Sequence, residues 1–228
     1  MSAIAKRPVI RTRDADPRVV RSRAAVLDAA RTLFLKKGYA GTTMDEIAAQ
    51  AGLTKRTLYN NYTDKDQLFT LIVADVMAFA EAFARELRDE LGGAVTAANL
   101  RATLDDVAQR MARTVARPHV IALRRLLIGE SRDFPALGTQ YFERAPGQVI
   151  DTLAKEFARL DRAGLLQVKD AHRAAAQFAY LVVGEPLDRA MLTGTLPPAA
   201  EISACAREGI ETFLARYERR AVRRVARR

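Results

Sequence analysis

Between Thr43 and Tyr62 the chain spells two helix starts with a glycine between them. Thr43 is a good N-cap, Glu46 three positions on completes a capping box, and Asp45 adds a favourable acid to the first turn. Gly52 ends this first helix, because the turn needs a left-handed φ that glycine takes without steric cost. Leu53 leads to a second cap, Thr54, and to a second short helix from Lys55 to about Tyr62. Helices of about eight residues are marginal alone, so the pair must pack on a third element. Ala48 supplies the small side chain where the two cross, while Ile47, Ala51, Leu53, Leu58 and Tyr62 fall where anchors must point inward. The third element precedes them. Over Arg21–Lys37, Val26, Leu27, Ala30, Leu33 and Phe34 recur at three- and four-residue spacing, and Gly38 stops the helix behind Lys36 and Lys37.

The rest of the chain carries the same helical periodicity. Thr63-Asp64 opens a long helix to about Leu91, with Leu68, Leu71, Ile72, Val76 and Phe79 inward, and Gly92-Gly93 ends it. Further helices are expected at about Ala97–Ala116, Pro118–Glu130, Tyr141–Ala163, Asp170–Leu192 and Pro198–Tyr217. Phe134-Pro135 and Ala163-Gly164 mark breaks, and Pro146-Gly147 allows the Tyr141–Ala163 helix to begin only after Gly147. No run alternates with period two long enough for a strand, and no internal repeat is visible. The fold class is all-α: a basic, mobile arm at 1–18, a helix-turn-helix unit at 19–66, a helical body at 67–217 and an arginine-rich tail at 218–228.

Charge separates these parts. The 228 residues carry a formal +10, but residues 1–66 hold thirteen Lys/Arg against seven Asp/Glu, and the last thirteen residues hold seven against one. The middle, 67–215, is near neutral at seventeen against nineteen. A basic head on a neutral body suits a polyanionic partner for the head and a different task for the body. The hydrophobic share of 49% is enough for a sizeable core, which argues against a mainly disordered chain. The single cysteine, Cys205, precludes an internal disulfide and fits a reducing cytoplasm. A basic, polar start and the lack of 18 consecutive apolar residues argue against a signal peptide and a membrane span.

The outward row of the second short helix is Thr54, Lys55, Arg56, Thr57, Tyr59, Asn60 and Asn61. None is acidic, two are cationic, and all hydrogen-bond. That set suits a helix entering the major groove of double-stranded DNA, with Arg56 on guanine O6/N7 and Asn60 on adenine or phosphate. Thr54, Thr57 and Tyr59 have the reach of phosphate binders, and Thr43 and Lys65 begin helices that flank the backbone. The plain alternative is a solvated helical hairpin with accidental basicity.

At these residues the chain resembles the TetR family of bacterial regulators. The likeness runs from Arg23 to Phe34, through Lys37-Gly38-Tyr39 and Thr42-Thr43-Met44-Asp45-Glu46-Ile47-Ala48. It continues through Ala51-Gly52-Leu53-Thr54-Lys55-Arg56-Thr57-Leu58-Tyr59 to Lys65-Asp66-Gln67-Leu68-Phe69. The resemblance implies a homodimer on a palindromic operator, an all-α second half that dimerises and binds a small-molecule inducer, and release from DNA when the inducer binds. Two positions depart from the commoner pattern: Arg56 where many members have glycine, and Tyr62 where many have phenylalanine. Base preferences therefore do not transfer, and Tyr62 needs an outlet for its hydroxyl.

The segment from Arg124 to Leu137, with Gly164-Leu165-Leu166, Asp170 and Ala174-Ala175-Ala176-Gln177-Phe178, resembles the AefR-like type of TetR C-terminal domain. Met111, His119, Leu123, Leu127, Phe142, Phe157, Phe178 and Tyr180 are the candidate ligand-binding side chains, core packing being the commoner role for such residues. Glu185-Pro186 lies within a helical pattern, where a kink either opens space or bends the helix around a neighbour. The last two helices are the family's usual dimer surface, which marks Phe178, Leu181, Val182, Ile210, Phe213 and Leu214 as intersubunit candidates. The arginine-rich end is either a solvated extension or a second nucleic-acid contact.

An enzyme needs a constellation of reactive groups. His119 and His172 lie far apart, Cys205 sits among small apolar residues as core filler, and no serine motif, paired-cysteine spacing or phosphate-cradling glycine loop occurs. No catalytic residue, cofactor, metal or membrane partner is expected. The rival to a DNA-binding regulator is a protein of the same fold that binds small molecules, or serves an architectural role, without reading a specific operator.

Overall fold

Apolar residues spaced for helices produce helices throughout the described residues, 17–219 of this computed structural model. They form α1 (Pro17–Lys37), α2 (Met44–Gln50), α3 (Lys55–Asn61), α4 (Lys65–Gly92), α5 (Leu100–Val115), α6 (Pro118–Gly129), α7 (Pro135–Phe142), α8 (Gln148–Arg162), α9 (Ala171–Thr193) and α10 (Ala199–Tyr217). Among the described residues there is no strand, only an isolated bridge between Leu166 and Glu218. The all-α expectation holds. Most of the arm at 1–18 and of the tail at 218–228 lies outside the described residues, but Pro17 and Arg18 already belong to α1.

Two compact units divide the chain at Ile72–Val73, within α4. In the first, α1 buries Val26, Ala29, Ala30, Leu33 and Phe34. Phe34, Tyr39 and Phe69 pack ring to ring at centroid distances of 5.3–5.9 Å, a spacing favourable for aromatic pairs. Ile47 and Ala48 of α2, Leu58 of α3, and Leu68 and Ile72 of α4 complete this core.

The second unit is centred on four aromatic rings. Phe157 of α8, Phe178 of α9, and Phe213 and Tyr217 of α10 lie 4.8–5.4 Å apart in neighbouring pairs. Gln109 of α5, buried, donates to the Ser203 carbonyl at 3.0 Å and accepts from the Ser203 hydroxyl at 2.7 Å, tying α5 to α10. The apolar sequence of α4 is long enough to cross a membrane, with a mean hydropathy of 1.6 over 18 residues. Its side chains Phe83, Leu87 and Leu91 are buried in this second core instead.

Three expectations are corrected here. Of the two starts that the sequence allows for the helix ending near Ala163, the one after Gly147 is seen and the one at Tyr141 is not, since α8 begins at Gln148. A separate helix, α7, starts at Pro135, the favoured first helical position for proline. It then passes through a one-turn π segment, Glu143–Gly147, into α8. Pro146 has no N–H for an α-helical bond, and the wider turn accommodates that. Gly147 fits there because a Cβ would stand 2.9 Å from the Phe142 carbonyl oxygen. Second, α5 begins at Leu100 rather than Ala97, because Asn99 Oδ1 accepts from the Thr96 backbone N–H at 2.7 Å and holds a separate turn. Third, Phe178, Val182, Ile210, Phe213 and Leu214 are buried inside their own chain and are not free for a partner, while Leu181 stays exposed.

Helices α9 and α10 approach closely at Gly209, where a Cβ would lie 2.5 Å from the Leu181 carbonyl oxygen. Replacing glycine by alanine inside a helix ordinarily gains about 1 kcal/mol. Here the added methyl has to push two helix backbones apart, so Gly209→Ala should lose about 1–3 kcal/mol in chemical denaturation. A stabilised variant would contradict this packing.

Candidate functional site

The first unit presents α3 through two caps and one glycine. Glu46 N–H donates to Thr43 Oγ1 at 3.3 Å, and Thr43 N–H donates to Glu46 Oε2 at 3.0 Å, closing the capping box. Lys37 adds an ion pair to Glu46 at 2.6 Å. This Lys37 hydrogen bond, followed by those from Thr43, holds the Glu46 carboxyl below its ordinary range. Gly52 makes the turn at φ +69°, with open space around it, so its backbone angle is what calls for glycine. Thr57 N–H then donates to Thr54 Oγ1 at 3.1 Å and caps α3.

The nine residues proposed from sequence for DNA contact separate into tied and untied groups. Thr43, Thr54 and Thr57 are capping partners, and the Thr54 and Thr57 hydroxyls also meet at 2.8 Å. Asn61 Nδ2 donates to the Thr57 carbonyl at 2.7 Å. Lys55 reaches back to Asp45 at 2.5 Å, and this bond raises the Lys55 pKa. Arg56, Tyr59 and Asn60 are exposed, and neither the Arg56 nor the Asn60 side chain hydrogen-bonds any described residue. These two side chains stand on a helix whose fold does not need them.

Lys65, expected beside the DNA backbone, also has partners within the fold. Its ammonium donates to the Tyr39 and Thr42 carbonyls at 3.0 and 3.4 Å and stands 4.3 Å from the Tyr39 ring centroid. It thereby pins the loop between α1 and α2, and a phosphate contact would have to displace these bonds. Tyr62 keeps its ring in the core, but its hydroxyl is buried without a hydrogen-bond partner among the described residues.

The second unit holds a cavity of about 100 Å³ that is partly open to solvent. Phe79 and Phe83 of α4, Met111 and Thr114 of α5, Arg124 of α6 and Tyr180 of α9 are among its walls. Tyr141 of α7 and Ala145 and Pro146 of the π segment close another side. Of the eight side chains proposed for ligand binding, Met111 and Tyr180 line this cavity. Phe157 and Phe178 belong to the aromatic core, Leu123 and Leu127 are buried elsewhere, and His119 and Phe142 are exposed. The missed walls include Phe79 and Phe83 of α4 and Arg124 of α6, together with Tyr141, Ala145 and Pro146 from the segment before α8, whose register sequence periodicity did not place. Among the described residues no group of three His, Cys, Asp or Glu is placed to hold a metal.

The unpartnered Tyr62 hydroxyl yields a direct test. Removing it deletes a desolvated polar group while keeping the ring, so Tyr62→Phe should raise stability by about 1 kcal/mol in thermal or chemical unfolding. A destabilised variant would mean that the hydroxyl has a partner.

Comparison with known proteins follows this division. Residues 26–72 match the bacterial regulatory proteins of the tetR family, and residues 102–219 match the AefR-like transcriptional repressor C-terminal domain. A protein from Mesorhizobium loti assigned to the TetR family of transcriptional regulators shares 29% identity at a TM-score of 0.78, covering 89% of this chain and all of that one. The flavonoid-responsive regulator FrrA shares 30% identity at a TM-score of 0.65, again over 89% of this chain and 100% of its own. A 44-residue stretch is 41% identical to the negative transcriptional regulator IcaR of the Staphylococcus epidermidis biofilm operon, spanning 19% of this chain and 24% of that regulator. The capped α2–α3 pair and the helical second unit are thus those of a known lineage, and the chain belongs to the TetR family of DNA-binding transcriptional regulators.

Proposed function

We propose that this chain is a dimeric repressor that holds a palindromic operator through α3 and leaves it when a small molecule fills the cavity of the second unit. The observation that carries the DNA reading is the state of the α3 surface: exposed, free of acid, and with Arg56 and Asn60 bound to nothing else among the described residues. Side chains that the fold does not use are available for base edges, Arg56 for guanine and Asn60 for adenine. Thr43, Thr54, Lys55, Thr57, Tyr59, Asn61 and Lys65 have the supporting part of contacting or framing phosphates.

Two-fold symmetry of a homodimer requires two half-sites, with α3 of each copy in successive major grooves about 34–36 Å apart. A ligand favouring a different spacing shifts the population away from the DNA-bound form, and DNA weakens ligand binding by the same factor. A flavonoid-responsive relative supports responsiveness to a small molecule, and the negative regulator among the relatives supports repression. The site of action is the cytoplasm, with the DNA.

The test is a gel shift on the region upstream of the chain's own gene, and on sites selected from a random library. A specific shifted band at physiological salt is expected; its absence in both sets sinks the operator reading. Arg56→Ala should relax preference at one base position, at a cost of about 1–3 kcal/mol there. Asp45→Asn releases Lys55 and should tighten all sequences alike, steepening the salt dependence by about one unit in log–log slope. If the two variants change the same library profile in the same way, this division of roles is wrong.

A further inference from the structure

The cavity of the second unit carries one charge. Arg124 is the sole charged side chain among its described wall residues, and its guanidinium lies 5.8 Å from the ring centroid of Tyr141. Arg124 is half-buried, and no carboxylate among the described residues comes within ion-pair distance of it. Its neighbours are different. Arg125 donates to the Met191 carbonyl at 2.6 Å, and Arg144 pairs with Glu81 at 2.7 Å. A half-buried guanidinium among apolar walls is costly unless an anion meets it.

The surroundings narrow the anion. No acidic residue is among the described walls of the cavity, so none of them repels a carboxylate. Tyr141 is buried, and that burial pushes its phenol above the ordinary range against the weaker opposing pull of Arg124. It therefore remains a neutral donor at physiological pH. A single cation with a neutral hydroxyl matches one negative charge, whereas a phosphate dianion asks for more donors. Phe83, Met111, Val149 and Ile150 offer hydrocarbon on the remaining sides.

We infer that the cavity takes an organic acid with one carboxylate on an apolar body, the carboxylate on Arg124 and Tyr141 and the hydrocarbon against Phe83, Met111 and Ile150. This rests on the small-molecule part of the proposed function and names the chemical class of the ligand. The guanidinium supplies a fork that matches the two carboxylate oxygens, and the apolar walls exclude the water that would screen the pair. Affinity comes from the buried hydrocarbon and selectivity from Arg124.

The experiment is calorimetric titration of the full chain near neutral pH with 1-naphthoate, 4-phenylbutyrate and decanoate, each beside its primary amide. At least one acid should bind below about 1 mM and about tenfold or more tighter than its amide. Arg124→Gln should abolish that preference while changing amide affinity by less than about threefold, the retained amide binding showing that the cavity is intact. Tyr141→Phe should weaken the acid and spare the amide. Amides binding as well as acids in the unaltered protein would overturn the inference and leave a ligand-released repressor standing. Binding of neither, beside an intact operator shift, would overturn the cavity as ligand site together with this inference. An acid preference surviving Arg124→Gln would place the anion elsewhere and contradict it as well.

Discussion

Helices α2 and α3 have seven residues each, too few to persist on their own backbone hydrogen bonds. What holds them is burial of Ile47, Ala48 and Leu58 against α1 and the start of α4, with Thr43 and Thr54 satisfying the exposed N–H groups at their starts. This constraint assigns work to nearly every inward side chain of the first unit. It also frees the opposite side of α3, where Arg56 and Asn60 face solvent with no duty to the fold. A recognition surface arises because the stabilising contacts are complete without it.

Electrostatics then sorts the cations of this unit by task. Lys65 is spent on the Tyr39 and Thr42 carbonyls, and Lys37 on the α2 cap. Lys55 is restrained by Asp45 in an exposed pair, the kind that contributes little to stability and that phosphate readily replaces. Arg56 has no such restraint among the described residues. A count of positive charge weights these residues equally, but their partners differ. In the second unit the same reasoning isolates Arg124, a cation with no carboxylate partner among the described residues.

The sequence carried the first unit almost in full. Caps, a positive-φ glycine and an apolar stripe are local signals, and α2 and α3 each lie within a residue of their expected ends. The second unit was legible as helices but less so as a site. Its helices are apolar on more than one side, so periodicity cannot say whether Phe178 or Phe213 meets another subunit, a ligand or its own core. All three choices bury the ring; tertiary packing sends both into one aromatic cluster. Pro135 and Pro146 read as breaks, because proline is costly in a regular helix. One stands at a first turn and the other inside a π turn, and that displaced register puts Tyr141, Ala145 and Pro146 into the cavity wall. The ties of Lys65 were not legible for a related reason: its carbonyl partners are 23 and 26 residues away in sequence.

The central claim is that the untied arginine of α3 reads guanine in a two-fold operator. Methylation interference on a selected site tests it most directly, because a methyl on guanine N7 blocks a bidentate arginine in the major groove. The account predicts one sensitive guanine in each half-site, the two separated by about 10–10.5 base pairs or a multiple of it, with sensitivity lost in Arg56→Ala. Sensitivity unchanged by that substitution, or a footprint without paired half-sites, would contradict it.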